Sequence, residues 1–201
     1  MSDPTMLPLR CACGALRGEL DATPSPGMRG VCYCDDCQAY GRWLGRDDLL
    51  DPHGGSEVVP TWPARVRLDA PASTLALMKL SDKGLHRWYA SCCRTPLANT
   101  MGSARMPFVG LLRRAIDADD AQLDALFGLA HGVQGRYAIG GCPPGAYRTA
   151  SPKIIAGALG LLVRGAFAGA HTPSPFFGAD GKPVVEALVL DAKARQALTP
   201  P

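Results

Sequence analysis

The sequence predicts a mainly β domain with a few short helices and an apolar helix added at its C-terminal end. Three observations carry this reading. Short runs of alternating or β-rich character recur between Gly, Pro, Asp and Ser punctuation. Gly and Pro together make 41 of the 201 residues, so turns and connections take a large share of the chain. From Ser151 onward the period changes to three or four residues.

The runs fall at Leu7 to Arg10, Ala15 to Leu20, Gly30 to Tyr33, Glu57 to Trp62, Arg65 to Asp69, Leu75 to Leu80, Leu85 to Ser91 and Pro107 to Leu112. Two helices interrupt them. One follows Cys34, where Asp35 and Gln38 form the D-x-x-Q pattern of a capping box. The other covers Asp117 to Phe127, with Leu123, Leu126 and Phe127 on one face and Gly128 as its stop. Residues 1–150 thus form the β-rich domain.

Residues 151–201 add the C-terminal helix and tail to the same domain. Pro152 opens the helix, and Ile154/Ile155, Ala158/Leu159, Leu162/Val163 and Ala166/Phe167 carry it to about Ala170. A place against the sheet core is the first expectation for this helix; a homodimer contact is the second. A β-like run from Pro183 to Leu190 and a brief polar helix from Asp191 follow. Trp43, Trp62 and Trp88 are expected in the core.

Charge and hydropathy exclude several classes of function. The net charge is +3, and no basic run exceeds Arg113-Arg114, so there is no electrostatic stripe for nucleic acid. The most apolar stretch, Ile154 to Val163, is ten residues long, about half of the ~20 a bilayer span requires. Met1 to Arg10 lacks the apolar core of a signal peptide, so the expected location is the cytoplasm. In that reducing compartment eight cysteines are thiols or thiolates, and their spacing becomes the most informative feature of the chain.

Cys11 and Cys13 share one face of an extended segment, with Gly14 free to turn the chain around an ion. They make half of a tetrahedral four-thiolate site, and the other half is best sought in Cys92 and Cys93. Cys32 and Cys34 again share a face, and Cys37 enters the first helical turn, where the helix dipole favours a thiolate. Neighbouring sequence supplies no fourth ligand there. Such a three-thiolate metal site with an open position accepts a substrate group, which makes Cys32, Cys34 and Cys37 the candidate catalytic residues. Asp35 and Asp36 read as helix-start and turn residues. None of His53, His86, His131 and His171 has ligand spacing to another. Cys142, in a Gly- and Pro-rich turn, is either a lone thiol or a fourth ligand.

Three segments carry a resemblance: Leu9-Arg10-Cys11-Ala12-Cys13-Gly14-Ala15-Leu16-Arg17-Gly18, Val31-Cys32-Tyr33-Cys34-Asp35-Asp36-Cys37 and Cys93-Arg94-Thr95-Pro96-Leu97. In this order they resemble the glutathione-dependent formaldehyde-activating enzyme family. The resemblance implies an Mss4-like β fold, a structural zinc from the first and third segments and a catalytic zinc from the second. It further implies carbon-sulfur lyase chemistry that joins glutathione and formaldehyde as S-hydroxymethylglutathione. Aligned on Thr95-Pro96-Leu97, Cys93 is the ligand in register and Cys92 is not, and Tyr33 stands where the family usually has His. The competing expectation is a non-catalytic, zinc-stabilised module that binds a thiol or a protein.

Overall fold

The computed structural model describes residues 5–23, 29–69 and 71–198, so the first four and last three residues of the two predicted regions lie outside it. Its strands are β1 Met6–Arg10, β2 Arg17–Asp21, β3 Gly30–Cys32, β4 Ser56–Thr61, β5 Val66–Leu68, β6 Leu75–Lys79, β7 His86–Ala90, β8 Pro96–Thr100, β9 Val109–Leu112, β10 His131–Val133 and β11 Ala187–Val189. Four α-helices accompany them: α1 Asp35–Leu44, α2 Asp120–Phe127, α3 Pro152–Phe167 and α4 Ala192–Gln196. The protein is therefore mainly β. Strands β1-β2-β5 form a three-stranded sheet, and β10-β3-β4-β9-β8-β7-β6-β11 form an eight-stranded one.

Alternation puts the core between the two sheets. Leu7 and Leu9 of β1 and Leu20 of β2 face Val59, Leu77, Trp88, Ala98 and Leu111 of the larger sheet, all buried in one apolar cluster. Fully burying one such side chain stabilises the fold by about 1.5–3 kcal/mol, so this cluster is its main support. Phe176 and Phe177 from the C-terminal tail enter the same cluster, and β11 pairs with β6 at the sheet edge.

The predicted strands are present with ends moved by a residue or two in either direction, except that of the run Pro183 to Leu190 only Ala187–Val189 is strand. Two others are not evident in the sequence. Strand β8, Pro-Leu-Ala-Asn-Thr, is buried along its whole length and so shows no alternation, and its Pro sits at the first position, where a missing N–H is tolerated. Strand β10 is three residues long and pairs parallel to β3.

Helix α1 lies on the opposite face of the larger sheet, where Ala39, Tyr40 and Leu44 pack with Met78 and Leu80. Its start corrects the expected capping box. Cys34 is the N-cap, without a side-chain cap, and Asp35 is already helical. Gln38 instead donates through Nε2 to the carbonyls of Tyr33 and Tyr137, both at 2.8 Å. A genuine capping box forms at α2, between Asp119 and Gln122, so that helix starts later than Asp117 and ends against Gly128 as expected.

Helix α3 forms where the period predicts, from Pro152 behind a Ser151 cap, but ends at Phe167, short of Ala170. Its expected place on the sheet core is corrected. Only Leu161 and Gly165 are buried, and the contact is made through Trp62, whose indole Nε1 donates to the Leu161 carbonyl at 3.0 Å. Trp62 and Trp43 are therefore half-buried, and Trp88 alone among the three tryptophans is fully enclosed. Among the described residues, no helix is long and apolar enough to cross a membrane.

Gly165 is required for that docking. A Cβ there would lie 2.6 Å from Trp62 Nε1 and 2.7 Å from Pro107 Cβ. Gly165→Ala should therefore destabilise the protein by about 1–3 kcal/mol, although Ala is the better helix former by about 1 kcal/mol. Thermal unfolding checks this, and an unchanged or raised melting temperature would show that α3 does not depend on the Trp62 contact.

Candidate metal centre

The first sulfur group joins two hairpins. At the end of β1 the chain turns back over Cys11 to Gly14, with the Gly14 N–H on the Cys11 carbonyl at 3.0 Å and Gly14 at φ 76°. The Leu16 N–H points at Cys11 Sγ, 3.3 Å away. The second hairpin joins β7 to β8. Its turn closes through Ala90 N–H to Thr95 O at 2.9 Å and Arg94 N–H to Ala90 O at 2.8 Å, with Arg94 left-handed at φ 56°. That sharp turn brings Cys92 and Cys93, neighbours in sequence, to the same side. Thr95 ties the hairpins together: its Oγ1 accepts from Ala12 N–H at 3.0 Å and lies 3.1 Å from Cys93 Sγ.

The sulfurs of Cys11, Cys13, Cys92 and Cys93 all lie within 4.8 Å of one another. Cys13 and Cys92 are 3.2 Å apart, Cys11 and Cys13 3.5 Å, Cys11 and Cys92 3.7 Å, and Cys92 and Cys93 3.8 Å. A tetrahedron with metal–sulfur bonds near 2.3 Å has edges of about 3.8 Å, so these residues can hold a metal ion. Cys92, out of register in the alignment, lies against both Cys11 and Cys13, so Cys92 and Cys93 both stand in the group.

Proton affinity divides this group. Burial opposes ionisation of Cys93, but hydrogen bonds from the Thr95 side chain and from the Cys13 and Thr95 backbone outweigh it and bring the thiol down to about 6. Cys92, hydrogen-bonded to Cys13 and then crowded by Cys11 and Cys93, is pushed up to about 12. Cys11 is lowered, against its burial, by the Leu16 N–H and by Cys13.

The second group is local. Cys32 ends β3, Cys34 caps α1 and Cys37 lies in the first turn of that helix, and their sulfurs also lie within 4.8 Å of one another. Tyr33 points away, donating from its hydroxyl to Asp51 at 2.9 Å. Hydrogen bonds from Cys32 and Cys34 hold the buried Cys37 thiol well below its usual value, and the charge and hydrogen bond of Arg87 add to them. Cys32 is raised, chiefly by its bonds to Cys34 and Cys37. Among the described residues, no fourth Cys, His, Asp or Glu joins this group.

Arg87 is the site residue that sequence reasoning misses. It comes from β7, opposite Asn99 of β8, on the face of the sheet that α1 covers. It is only 2% exposed, donates to Asn99 Oδ1 at 3.4 Å and stacks 5.1 Å from the Tyr40 ring centroid. Among the described residues, no carboxylate pairs with it. A buried cation is costly without a counter-charge, and Cys37, whose thiol Arg87 helps to lower, is the acidic group beside it. The available signal was an arginine alternating with Trp88 inside a run that otherwise reads as core.

The remaining candidates stand apart from both groups. Cys142 directs its sulfur at the Ala146 carbonyl, 3.4 Å away, and fills the space beside Gly135, so it is a packed single thiol. Asp36 pairs with Arg195 at 2.8 Å, and Asp35 is exposed. His86 is buried and stacked on Phe177, and no histidine joins a sulfur group.

The split in proton affinity makes a direct prediction for metal-free protein. At a temperature where circular dichroism shows the metal-free chain folded, iodoacetamide at pH 7 should label Cys93 ahead of Cys92, with the Cys93 rate rising as pH passes upward through about 6. Peptide mass spectrometry reads both positions. Equal labelling of the two would show that Thr95 does not polarise the group.

Compared with known proteins, residues 1–188 match a family described as a family of unknown function, DUF6151. No curated protein matches the chain.

Proposed function

The chain belongs to the DUF6151 family, and we propose that it is a zinc protein that binds a small thiol such as glutathione and forms or breaks its adduct with formaldehyde or another small aldehyde. The observation that carries this reading is the convergence of three sulfurs, and only three among the described residues, beside a buried arginine. The four-sulfur group suits a closed structural zinc, and the three-sulfur group suits a zinc with room for a ligand. Two sheets with paired cysteine hairpins also support an Mss4-like assignment. A cytoplasmic setting, where thiols stay reduced, fits as well.

When bound at Cys32, Cys34 and Cys37, zinc supplies a Lewis acid at which an added thiol ionises more readily. The chain's own groups prepare that place. Cys37 lies in the first turn of α1, where the positive helix end favours a thiolate. Arg87 offsets part of the charge of three thiolates, and a fourth anion is admitted more easily as a result. The net reaction is redox-neutral: a sulfur–carbon bond forms, the carbonyl pair moves to oxygen, and the proton leaving the thiol ends on that oxygen. Orientation is the larger part of what such a site contributes.

Structural zinc contributes on the order of 10 kcal/mol in small domains, comparable with a whole domain's net stability. Chelation should therefore lower the melting temperature sharply, and zinc should restore it. Cys92→Ser and Cys93→Ser should each destabilise to a similar degree. An unchanged melting temperature after confirmed metal removal would refute the structural zinc.

Function is tested by calorimetric titration of glutathione into the wild type and Cys37→Ala. The wild type should bind and the variant should not, compared at a temperature where circular dichroism shows the variant folded, since removing Cys37 also takes away the acidic group beside buried Arg87. Exchange between glutathione and formaldehyde should be faster with the wild type than without protein. No binding to the wild type would overturn the thiol reading; binding without faster exchange would leave a thiol carrier.

A further inference from the structure

The metal sites leave the outer face of α3 without a role. At 100° per residue, Leu161 and Gly165 face the domain, and Ile155, Leu159, Val163 and Phe167 fall on the side away from it. These four are 49%, 57%, 53% and 91% exposed. Lys153 and Arg164 are the only charged residues of the helix, and Arg164 lies along one flank with its Nε on the Gly160 carbonyl at 3.2 Å. A helix that rests on a domain and faces water normally carries polar residues outward, and one apolar on both sides is covered on both.

We propose that α3 is a homodimer interface, in which two copies of this chain pair their α3 helices antiparallel across a two-fold axis. The area favours a second copy. The four side chains expose on the order of 500 Å², towards the upper end of the roughly 300–600 Å² of a monomer's largest patch, which is often functional. A two-fold contact covers that patch twice, and about 1,000 Å² is where specific interfaces begin. Shape favours the antiparallel order. Phe167, the bulkiest of the four, stands at the C-terminal end of the stripe, and beside Ile155 and Leu159 at the other end Ala156 and Gly160 leave a hollow on the Phe167 flank; a Cβ added at Gly160 would meet no atom within 4 Å. Antiparallel pairing sets each Phe167 over the hollow at Ala156 and Gly160 of the other copy. It also keeps the two Lys153 ammonium groups at opposite ends of a helix about 24 Å long, whereas parallel pairing would set them side by side. An anionic lipid surface is the weaker occupant, because two cations make little electrostatic contribution to such binding.

This proposal is independent of the metal reading. Sedimentation equilibrium of the full, zinc-loaded chain tests it, and the small interface predicts a reversible dimer with Kd in about the micromolar range. Phe167→Asp should weaken the dimer at least about tenfold, with melting temperature and zinc content unchanged, since this side chain touches little of its own domain. Adding Ala156→Lys to Phe167→Asp should regain affinity, because antiparallel order brings the new charges together. A monomer at about 200 µM, well above that range, would overturn the proposal, as would a dimer indifferent to Phe167→Asp. A double variant that regains nothing would overturn the antiparallel order. A monomeric wild type that binds phosphatidylglycerol vesicles, and loses that binding in Phe167→Asp, would reassign the face to lipid.

Discussion

Like-charge repulsion among sulfurs is the constraint around which this fold is arranged. Seven cysteine sulfurs are gathered into two groups, each spanning less than 5 Å. At such separations the ionised forms cannot coexist without a cation or shared protons between them. Each group meets the constraint differently. The four-sulfur group has backbone N–H groups and the Thr95 hydroxyl, enough to ionise Cys93 but not Cys92. The three-sulfur group has a helix N-terminus and a guanidinium. In both, the protein provides only partial compensation, and a divalent ion would complete it.

The location of that partial compensation also separates the two groups functionally. The four-sulfur group binds together two hairpins, one from each sheet, and nothing beyond a tetrahedral ion is needed to satisfy it. The three-sulfur group lies where β3 passes into α1, on the helix-covered face of the larger sheet, and its charged neighbour comes from a strand far along the chain. An arginine buried without a carboxylate is a poor device for stability, since burying an ion pair often gains little or nothing. Its presence at Arg87 is better explained by the charge that the three sulfurs must carry.

Much of this organisation is legible in the sequence because it is local. The C-x-C spacing of Cys11 and Cys13 and of Cys32 and Cys34 fixes a shared face, alternation fixes most strands, and the three-to-four period fixes α3. The features that are not legible depend on distant partners or on backbone detail. Cys92 joins the four-sulfur group in a turn where Arg94 adopts a left-handed conformation, which no side-chain preference announces for arginine. Strand β8 is covered on both faces and so loses its period. The Asp35 and Gln38 pattern is shifted by one residue from a true cap, because Cys34 takes that position and Gln38 is drawn inward to two carbonyls. The outward face of α3 has the composition of a buried one, and periodicity cannot distinguish which of two apolar sides meets the domain.

The two sulfur groups also differ in how much chain they enclose. Cys13 and Cys92 meet across 79 positions of sequence, whereas Cys32, Cys34 and Cys37 fall within one short stretch nested inside that span. An ion at the outer group would act as a removable cross-link that closes a long loop, and it would be captured only after the sheets had brought the hairpins together. The inner group needs no such closure and can take an ion while the rest of the chain is still unfolded. If both groups take ions, chain topology sets an order: the local three-sulfur group would load before the four-sulfur group, which needs the two hairpins already together.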